Sequence, residues 1–196
     1  MQKAKKKIEV LRKTHELAWK EYECTIMSDG WTDKRGRHLI NFLANSPEGT
    51  FFLESVDASS QVADTNMLAD LLQKRIEEVS EKNIVQVITD NGANFKAACR
   101  LLMARIPTLF WTPCAAHCID LMLEEIGKIP EFNSCITKAK RVTTFIYRHG
   151  KLLDAMRDKT GGYDLVRPAA TRFATSFLTL QSLFKHRAAL RNLFVD

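Results

Sequence analysis

The spacing of apolar residues in the first part of the chain predicts one helix followed by three strands. Apolar side chains recur at helical intervals from Ile8 to Trp19, so residues 2–23 are predicted to form an amphipathic helix. Short apolar runs then predict strands at residues 24–28, 38–44 and 51–56. The turn sequence Asn-Ser-Pro-Glu-Gly between the last two runs predicts that they pair as a hairpin.

The rest of the pattern alternates helices with two further strands and then becomes wholly helical. Asp64 is a suitable N-cap for a helix over residues 65–80. The β-branched run at residues 84–89 predicts a strand buried on both faces. Further elements are a helix at 93–105, a strand at 109–111 and helices at 114–127, 132–147, 151–159 and 171–195. The order β-β-β-α-β-α-β-α predicts an α/β fold, a mixed sheet with helices on its faces and a helical C-terminal extension.

Composition indicates a folded protein with reduced thiols and no membrane-spanning segment. The chain has 196 residues, of which 45% are hydrophobic, enough for the core of one domain. No apolar run approaches the roughly 18 residues needed to span a bilayer, and the charged start of the chain is unlike a signal peptide. Five cysteines, an odd number, indicate reduced thiols in the nucleus or the cytoplasm.

The net charge of +6 is unevenly distributed along the chain. Residues 1–23 carry a net charge of +3 and residues 137–196 a net charge of +8, whereas residues 24–136 carry −5. An acidic centre between basic flanks is typical of a metal site within a phosphate-binding surface, which favours DNA as a partner. The alternative is a set of ordinary solvated helices. The lysine cluster at residues 3–7 is likewise either a nuclear-import patch or a solvated helix end.

Two carboxylates occupy positions where a metal site is expected. Asp29 ends the first predicted strand and Asp90 ends the fourth, and ligands of α/β sheets gather beyond the carboxyl ends of strands. If those strands are parallel neighbours, the two groups lie close together, and a cation such as Mg²⁺ would relieve their repulsion. The alternative is that both are turn residues, because Asp-Gly and Asp-Asn-Gly are common turn formers. The other acids considered for this role are Asp33, Asp57 and Asp120.

Four segments of the chain resemble sequence blocks of hAT-superfamily transposases and occur in the family's order. They are Ser28-Asp29-Gly30-Trp31-Thr32, Thr89-Asp90-Asn91-Gly92-Ala93-Asn94-Phe95, Cys114-Ala115-Ala116-His117-Cys118-Ile119-Asp120-Leu121 and Ala170-Thr171-Arg172-Phe173. The last block has Phe173 where the family has Trp, which removes an indole N–H donor. The resemblance covers roughly residues 24–196 and is strongest for a transposase-like domain of unknown function that is widespread in plants.

The resemblance implies a ribonuclease H-like fold and DNA strand transfer by an Asp-Asp-Glu triad with two divalent metal ions. Asp29 and Asp90 match the two aspartates of that triad. The family's glutamate follows a helical insertion beyond the segment that matches residues 171–173, and the sequence reaches only Asp196. We therefore expect an inherited metal site, with Mg²⁺ or Mn²⁺ as the cofactor, in a core that is catalytically incomplete.

The same resemblance implies DNA contacts at three further residues. Cys114 and His117 match the family's Cys-x-x-His pair, which handles DNA near the active site, and Arg172 is placed to touch a phosphate. Zinc is not expected at Cys114, His117 and Cys118, because one helix offers only three donors and the sequence has no partner motif. The alternatives are a core-facing helix end for the first block and a solvated side chain for Arg172. Trp31 is expected to pack beneath the site.

These inferences divide the chain into a basic helix at residues 1–23, an incomplete ribonuclease H-like core at 24–160 and a helical segment at 161–196. The leading hypothesis is a nuclear, transposase-derived domain that binds DNA weakly and lacks strand-transfer activity, with no membrane partner. A second hypothesis is a protein-interaction module, because the apolar stripe within residues 171–196 would bind a protein partner or a second copy. A third is a metal-dependent nuclease whose third ligand is of another kind or comes from a partner.

Overall fold

The computed structural model describes residues 2–60, 64–169 and 172–195, without the side chains of residues 2–4 and 195. Ala170, Thr171 and Asp196, which belong to the predicted fourth block and C-terminal segment, lie outside the described residues. The chain divides into two compact units, Met1–His117 and Cys118–Asp196, which we call the sheet unit and the helical unit. The three segments that the sequence predicts, with boundaries after residues 23 and 160, remain a prediction.

A five-stranded mixed sheet organises the sheet unit. Its strands are β1 (Cys24–Thr32), β2 (His38–Ser46), β3 (Gly49–Asp57), β4 (Ile84–Thr89) and β5 (Phe110–Pro113). They lie in the order β3-β2-β1-β4-β5. The first three strands form an antiparallel meander, and β4 and β5 run parallel to β1. This is the strand arrangement of a ribonuclease H-like fold, so the predicted fold class is confirmed.

Helices cover the buried face of this sheet. They are α1 (Gln2–Tyr22), α2 (Thr65–Val79) and α3 (Ala93–Arg105). Ile26, Phe42 and Val87 are fully buried on that face, and they share one apolar core with Leu72 of α2 and Leu102 of α3. Because side chains alternate along a strand, the residues between them lie on the opposite face.

The helical unit holds most of α4 and all of the helices that follow it. These helices are α4 (Ala115–Lys128), α5 (Pro130–Arg148), α6 (Gly150–Thr160), α7 (Ala174–Lys185) and α8 (Arg187–Val195). A small buried cluster holds α5, α6 and α8 together through Ile146, Met156 and Leu190. The Tyr147 hydroxyl donates to the Leu165 carbonyl at 2.9 Å, which ties the segment after α6 back to α5.

The predicted elements are present, with two corrections. The single helix predicted at residues 171–195 is wrong, because the backbone leaves the helical region at His186 (φ −97°, ψ 15°) and separates α7 from α8. The first strand is longer than predicted, because its second half pairs with β2 as far as Thr32. Asp64 caps α2 as predicted, with its carboxylate accepting the Met67 N–H at 2.8 Å. Within the described ranges, no helix has the length and apolar character needed to cross a bilayer.

Candidate metal and DNA site at the sheet edge

Asp29 lies within β1 and not at its end. It pairs with Asn41 of β2 in the antiparallel register, and the strand continues for three residues beyond it. The sequence prediction ended the strand too early because Asp-Gly is a common turn. The Asp29 side chain is exposed and lies on the sheet face opposite Ile26. The expectation that Trp31 packs beneath the site is wrong, because Trp31 lies on the same face as Asp29 and is 47% exposed.

Asp90 directly follows β4 and is fixed by its neighbours. Its Oδ1 accepts the Gly92 N–H at 2.8 Å, and a Cβ at Gly92 would lie 2.8 Å from the same oxygen. Thr89 is fully buried, donates its hydroxyl to the Asp90 carbonyl at 2.9 Å and accepts the Trp111 Nε1–H at 3.0 Å. A glycine on one side and an anchored threonine on the other therefore hold this carboxylate at the strand end.

The parallel pairing of β1 and β4 brings Asp29 and Asp90 to the same edge of the sheet. The strands are parallel neighbours, and Met27 is level with Ile88. The paired register ends there, and Asp29 and Asp90 each follow two residues beyond that last pair. The backbones of neighbouring strands lie about 4.8 Å apart. The parallel pairing that a shared site requires is thus present, and the metal-binding role of the pair stays a prediction.

Cys114 follows β5 at the same edge of the sheet. Its N–H donates to the Thr89 carbonyl at 2.7 Å, so it adjoins the residue that precedes Asp90. His117 lies in the first turn of α4, and both predicted DNA-contact residues are half-buried. Behind them, burial raises the pKa of the Cys99 thiol to about 12, with the Thr89 hydrogen bond opposing the shift and the Asp90 charge adding to it. Cys99 therefore stays a neutral thiol at physiological pH.

His38 also lies in this region, although no sequence motif marks it. It opens β2 and lines, together with Asp90, a cavity of about 260 Å³. The ring Nδ1 of His38 lies 3.1 Å from the Thr32 hydroxyl. The backbone N–H of His38 donates to the Ser59 hydroxyl at 2.8 Å. Its carbonyl accepts the Ala58 N–H at 2.7 Å. Only the register that pairs His38 with Thr32 brings it to this edge, which is why spacing along the sequence gave no indication of it.

Two of the other acids close the loops beside His38. Asp33 accepts the backbone N–H groups of Arg35 and Arg37, at 2.8 and 2.9 Å. Asp57 accepts the hydroxyl and the N–H of Ser59. These hydrogen bonds, led by the Arg37 N–H for Asp33 and by the Ser59 hydroxyl for Asp57, lower the pKa of both carboxyls. Both acids therefore have a local structural use.

The third and fourth sequence blocks meet inside the helical unit. Asp120 of α4 accepts the backbone N–H groups of Phe173 and Ala174, at 3.2 and 2.8 Å, so it caps the start of α7. The Phe173 ring packs on Gly127, where a Cβ would overlap it. The aromatic residue of the fourth block thus packs against the helix that carries the third. Arg172 precedes α7 and is exposed, and its phosphate contact remains a prediction.

The donors at the sheet edge suit a hard divalent cation. Asp29 and Asp90 supply carboxylate oxygens, and Mg²⁺ is commonly held by one or two carboxylates while it keeps several waters. In the part of the chain that the structure describes, no group of three or more His, Cys, Asp or Glu side chains is placed to hold a metal ion. The pair therefore fits an ion that completes its coordination with water or phosphate oxygens.

Sequence comparison assigns the chain to a family. A family model described as "Domain of unknown function (DUF659)" matches residues 1–142. The chain belongs to this family. The DUF659 match covers the whole sheet unit, with Asp29, Asp90, Cys114 and His117, and extends into α5. No curated protein matches the chain.

Two solved structures resemble the DUF659 chain at low identity. The structure titled "Crystal structure of catalytic core domain of BIV integrase" is 12% identical with a TM-score of 0.35, over 81% of this chain and 82% of that one. The structure titled "Crystal structure of the Mos1 Strand Transfer Complex" is 10% identical with a TM-score of 0.36, over 95% of this chain and 59% of that one. The fold assignment of the DUF659 chain rests on its own strand order.

Proposed function

We propose that this chain is a transposase-related domain of the hAT type that binds DNA at a divalent-metal site on the sheet edge. The observation that carries the proposal is the parallel register of β1 and β4, whose last pair, Met27 with Ile88, lies two residues before Asp29 and Asp90. The four ordered blocks that resemble hAT transposases support the same role. A DNA-binding role also favours the nucleus as the site of action.

Asp29 and Asp90 are the residues that would hold Mg²⁺ or Mn²⁺. Two carboxylates on adjacent strands repel each other, and a divalent cation between them offsets that repulsion. When bound, the ion would supply Lewis-acid polarisation of a phosphate oxygen. The chain's own contribution is orientation, since the Gly92 N–H holds one oxygen of Asp90 and pairing with Asn41 fixes the backbone of Asp29. Zinc is not proposed, because this donor pair lacks the sulfur and nitrogen ligands that zinc prefers.

Three residues near this pair are proposed to position DNA. Cys114 and His117 follow β5 at the same sheet edge. His38 lines the cavity beside Asp90. The Thr32 hydroxyl lies beside its ring, and the Ser59 hydroxyl accepts its backbone N–H. Imidazole N–H groups are suitable donors to phosphate oxygens. Arg172 in the helical unit is proposed to contact a further phosphate.

We propose that the site binds DNA without cutting it efficiently. Asp33 and Asp57 close loops, and Asp120 caps α7, so three of the other acids already have a local use. Strand cleavage depends on several ligands that hold charge at the reacting phosphate, and the loss of one costs orders of magnitude in rate. A pair of carboxylates without a third acidic side chain beside it among the described residues therefore predicts retained binding and little turnover.

Calorimetric titration with Mn²⁺ tests the metal site. We expect weak binding to the whole chain and its loss in both Asp29→Asn and Asp90→Asn. Asp70→Asn is the matched control, because it removes the same charge from an exposed side chain of α2 that pairs with Arg105 at 3.1 Å. Metal binding that survives both site substitutions would show that the carboxylates are wrongly assigned.

A DNA-cutting assay with Mn²⁺ on nicked and hairpin substrates separates binding from catalysis. The proposal expects no cutting above background. Robust cutting that Asp29→Asn abolishes would instead support the hypothesis of an active nuclease whose further ligand comes from another residue or a partner.

A protein-interaction role is the second candidate function. Large apolar side chains of α7 and α8 are exposed, with Leu178 at 48%, Phe184 at 68% and Phe194 at 57%. Exposed large apolar side chains favour association with a partner or a second copy. Light scattering in the calorimetry buffer provides the readout, and a monomer at micromolar concentration would contradict self-association through residues 171–196.

A further inference from the structure

One face of α5 forms a basic groove in the helical unit. Six of its residues recur at helical spacing and line a shallow cavity of about 420 Å³. They are Thr137, Lys140, Arg141, Thr144, Phe145 and Arg148. His149, which follows the helix, completes the lining. We call this surface the α5 groove, and no residue that lines it is acidic.

The three cations of the α5 groove are not neutralised by neighbouring carboxylates. Other arginines of the chain form ion pairs, such as Arg75 with Glu54 and Arg157 with Asp164. In contrast, Lys140, Arg141 and Arg148 form none with any residue that the structure describes. Three positive charges without ion pairs along one exposed helix face repel one another, and a polyanion that lies along this face would relieve that repulsion.

An exposed aromatic pair lies among these charges. The Phe145 and His149 rings are 4.4 Å apart between centroids, and Phe145 is 53% exposed. His149 Nδ1 lies 2.8 Å from the Phe145 carbonyl, which holds the imidazole against the phenyl ring. Aromatic rings interleaved with cations are the pattern on which nucleic-acid bases and sugars stack. A simple acidic peptide would use the charges and leave the rings uncovered.

The spacing of the charges matches a phosphodiester backbone. Lys140 and Arg148 are eight residues apart, which corresponds to about 12 Å along the helix axis. Successive phosphates on one strand of duplex DNA advance by about 3.4 Å along the duplex axis, so the groove spans roughly three to four phosphates. The hydroxyl of Thr144, which is exposed between the charged positions, offers a further donor to a phosphate oxygen.

We propose that the α5 groove binds the phosphodiester backbone of DNA, with Lys140, Arg141 and Arg148 on phosphates and Phe145 against a base or sugar. This inference rests on the proposed DNA-binding role, but it does not require the metal site. It assigns the sequence-independent part of DNA affinity to α5.

Fluorescence anisotropy with labelled DNA in EDTA, over a salt series, tests the α5 groove on the full chain. The triple variant Lys140→Gln/Arg141→Gln/Arg148→Gln should flatten the slope of log affinity against log salt by about 2.7, at roughly 0.9 per lost phosphate contact. Near physiological salt this corresponds to a loss on the order of 100-fold in affinity. Phe145→Ala should weaken single-stranded DNA binding by about tenfold with the slope unchanged.

Two controls keep the test specific. Lys5→Gln/Lys6→Gln/Lys7→Gln removes the same charge from exposed positions of α1 and should change the slope little. The double variant Arg141→Gln/Arg148→Gln leaves Lys140 in place, because its ammonium lies 5.7 Å from the Phe173 ring centroid and contributes to packing. The double variant should lose about two-thirds of the slope that the triple variant loses.

The outcomes separate this proposal from the metal site. If the α1 triple variant flattened the salt slope as much as the α5 triple variant, net charge alone would explain the effect. The α5 assignment would then be wrong. Polyglutamate that competes as well as DNA would overturn the nucleic-acid assignment. Retained, α5-dependent binding in EDTA together with no Mn²⁺ binding would overturn the metal site while this inference stands.

Discussion

The sheet unit and the helical unit differ in how much apolar surface they bury. Among the described residues, the sheet unit holds a connected cluster of twenty buried apolar residues, whereas the cluster of the helical unit has four. Strands β1, β2 and β4 bring distant parts of the sequence into one core. The helices of the second unit instead leave large side chains such as Phe184 and Phe194 exposed. Extensive burial gives the sheet unit a fixed backbone, while the helical unit depends on a few specific contacts.

This difference agrees with the kind of site proposed for each unit. A metal site needs its ligands within tenths of an ångström, which favours residues in a strand, such as Asp29, or directly after one, such as Asp90. Binding to a phosphate backbone tolerates movement, because charge attraction falls off gradually with distance. A helix surface such as the α5 groove is sufficient for that purpose. The unit with the larger buried core thus has the proposed metal site, and the unit with the smaller core has the proposed phosphate-binding surface.

Phe42→Ala should have the largest effect, and it acts on the sheet unit. Phe42 is fully buried, and the Arg75 guanidinium lies 5.7 Å from its ring centroid. Loss of a buried phenyl ring costs about 3–5 kcal/mol of unfolding free energy. Urea unfolding combined with native-state hydrogen exchange of β2 and α6 amides would measure the loss in each unit.

Phe52→Ala is the matched control for that substitution. Phe52 lies on the neighbouring strand β3 and is 53% exposed, so its removal should cost less than about 1 kcal/mol. An equal loss of protection in β2 and α6 after Phe42→Ala would show that the two units unfold as one cooperative body. The difference in buried core between the two units would then not correspond to a difference in their stability.

Gly127→Ala should have the next largest effect, and it acts on the helical unit. The new methyl group would overlap the Phe173 ring, and overpacking of this kind costs about 1–3 kcal/mol. Gly150→Ala is the control, because no atom lies within 4 Å of a Cβ at that position and alanine favours the helix by about 0.4–1 kcal/mol. Hydrogen exchange of α7 amides is the measurement. Unchanged α7 protection in Gly127→Ala would show that Phe173 can move aside at little cost.

The strands and helices were predictable wherever one local pattern dominated. The β-branched run of β4 and the Asp64 cap of α2 are set by a few adjacent residues, and both elements are present. The predicted burial of β4 on both faces is wrong, because Val85 is 39% exposed. Pairing overrode local preference at Asp29, because ladder hydrogen bonds to β2 carry the strand through an Asp-Gly sequence that favours a turn. The break at His186 was missed because the apolar spacing continues across it from Phe184 to Leu190.

The candidate site was predictable where its residues lie in recognisable sequence blocks, as Asp29, Asp90, Cys114 and His117 do. Asp29 and Asp90 follow apolar runs of sequence and match known blocks, so sequence alone suggested them. His38 reaches the site through the β1–β2 register, and Asp120 reaches α7 through a contact 53 residues away along the chain. Neither residue lies in a local pattern that specifies its partner. Long-range contacts of this kind are what sequence spacing does not reveal.

The smallest predicted effect concerns two surface carboxyls, one in each unit. The pKa of Asp57 is lowered chiefly by the Ser59 hydroxyl, and the pKa of Asp164 is lowered chiefly by its hydrogen bond with Arg157. A carboxyl whose pKa is lowered on folding stabilises the native state above its ordinary value of 3.8, and this contribution is lost as the pH falls through the lowered pKa. Stability of both units should therefore decline slightly below about pH 4.

Salt and one substitution distinguish the two carboxyls in an NMR titration. Added salt screens an exposed ion pair, so it should raise the pKa of Asp164 toward its ordinary value. The hydroxyl that holds Asp57 is neutral, so the pKa of Asp57 should respond less to salt and should rise in Ser59→Ala. That substitution also removes the acceptor of the His38 N–H, so it should shift the His38 resonances while those of Asp164 stay in place. If salt shifts both pKa values equally, a charge interaction lowers the pKa of Asp57 as well as that of Asp164. The predicted difference between the two carboxyls would then be wrong.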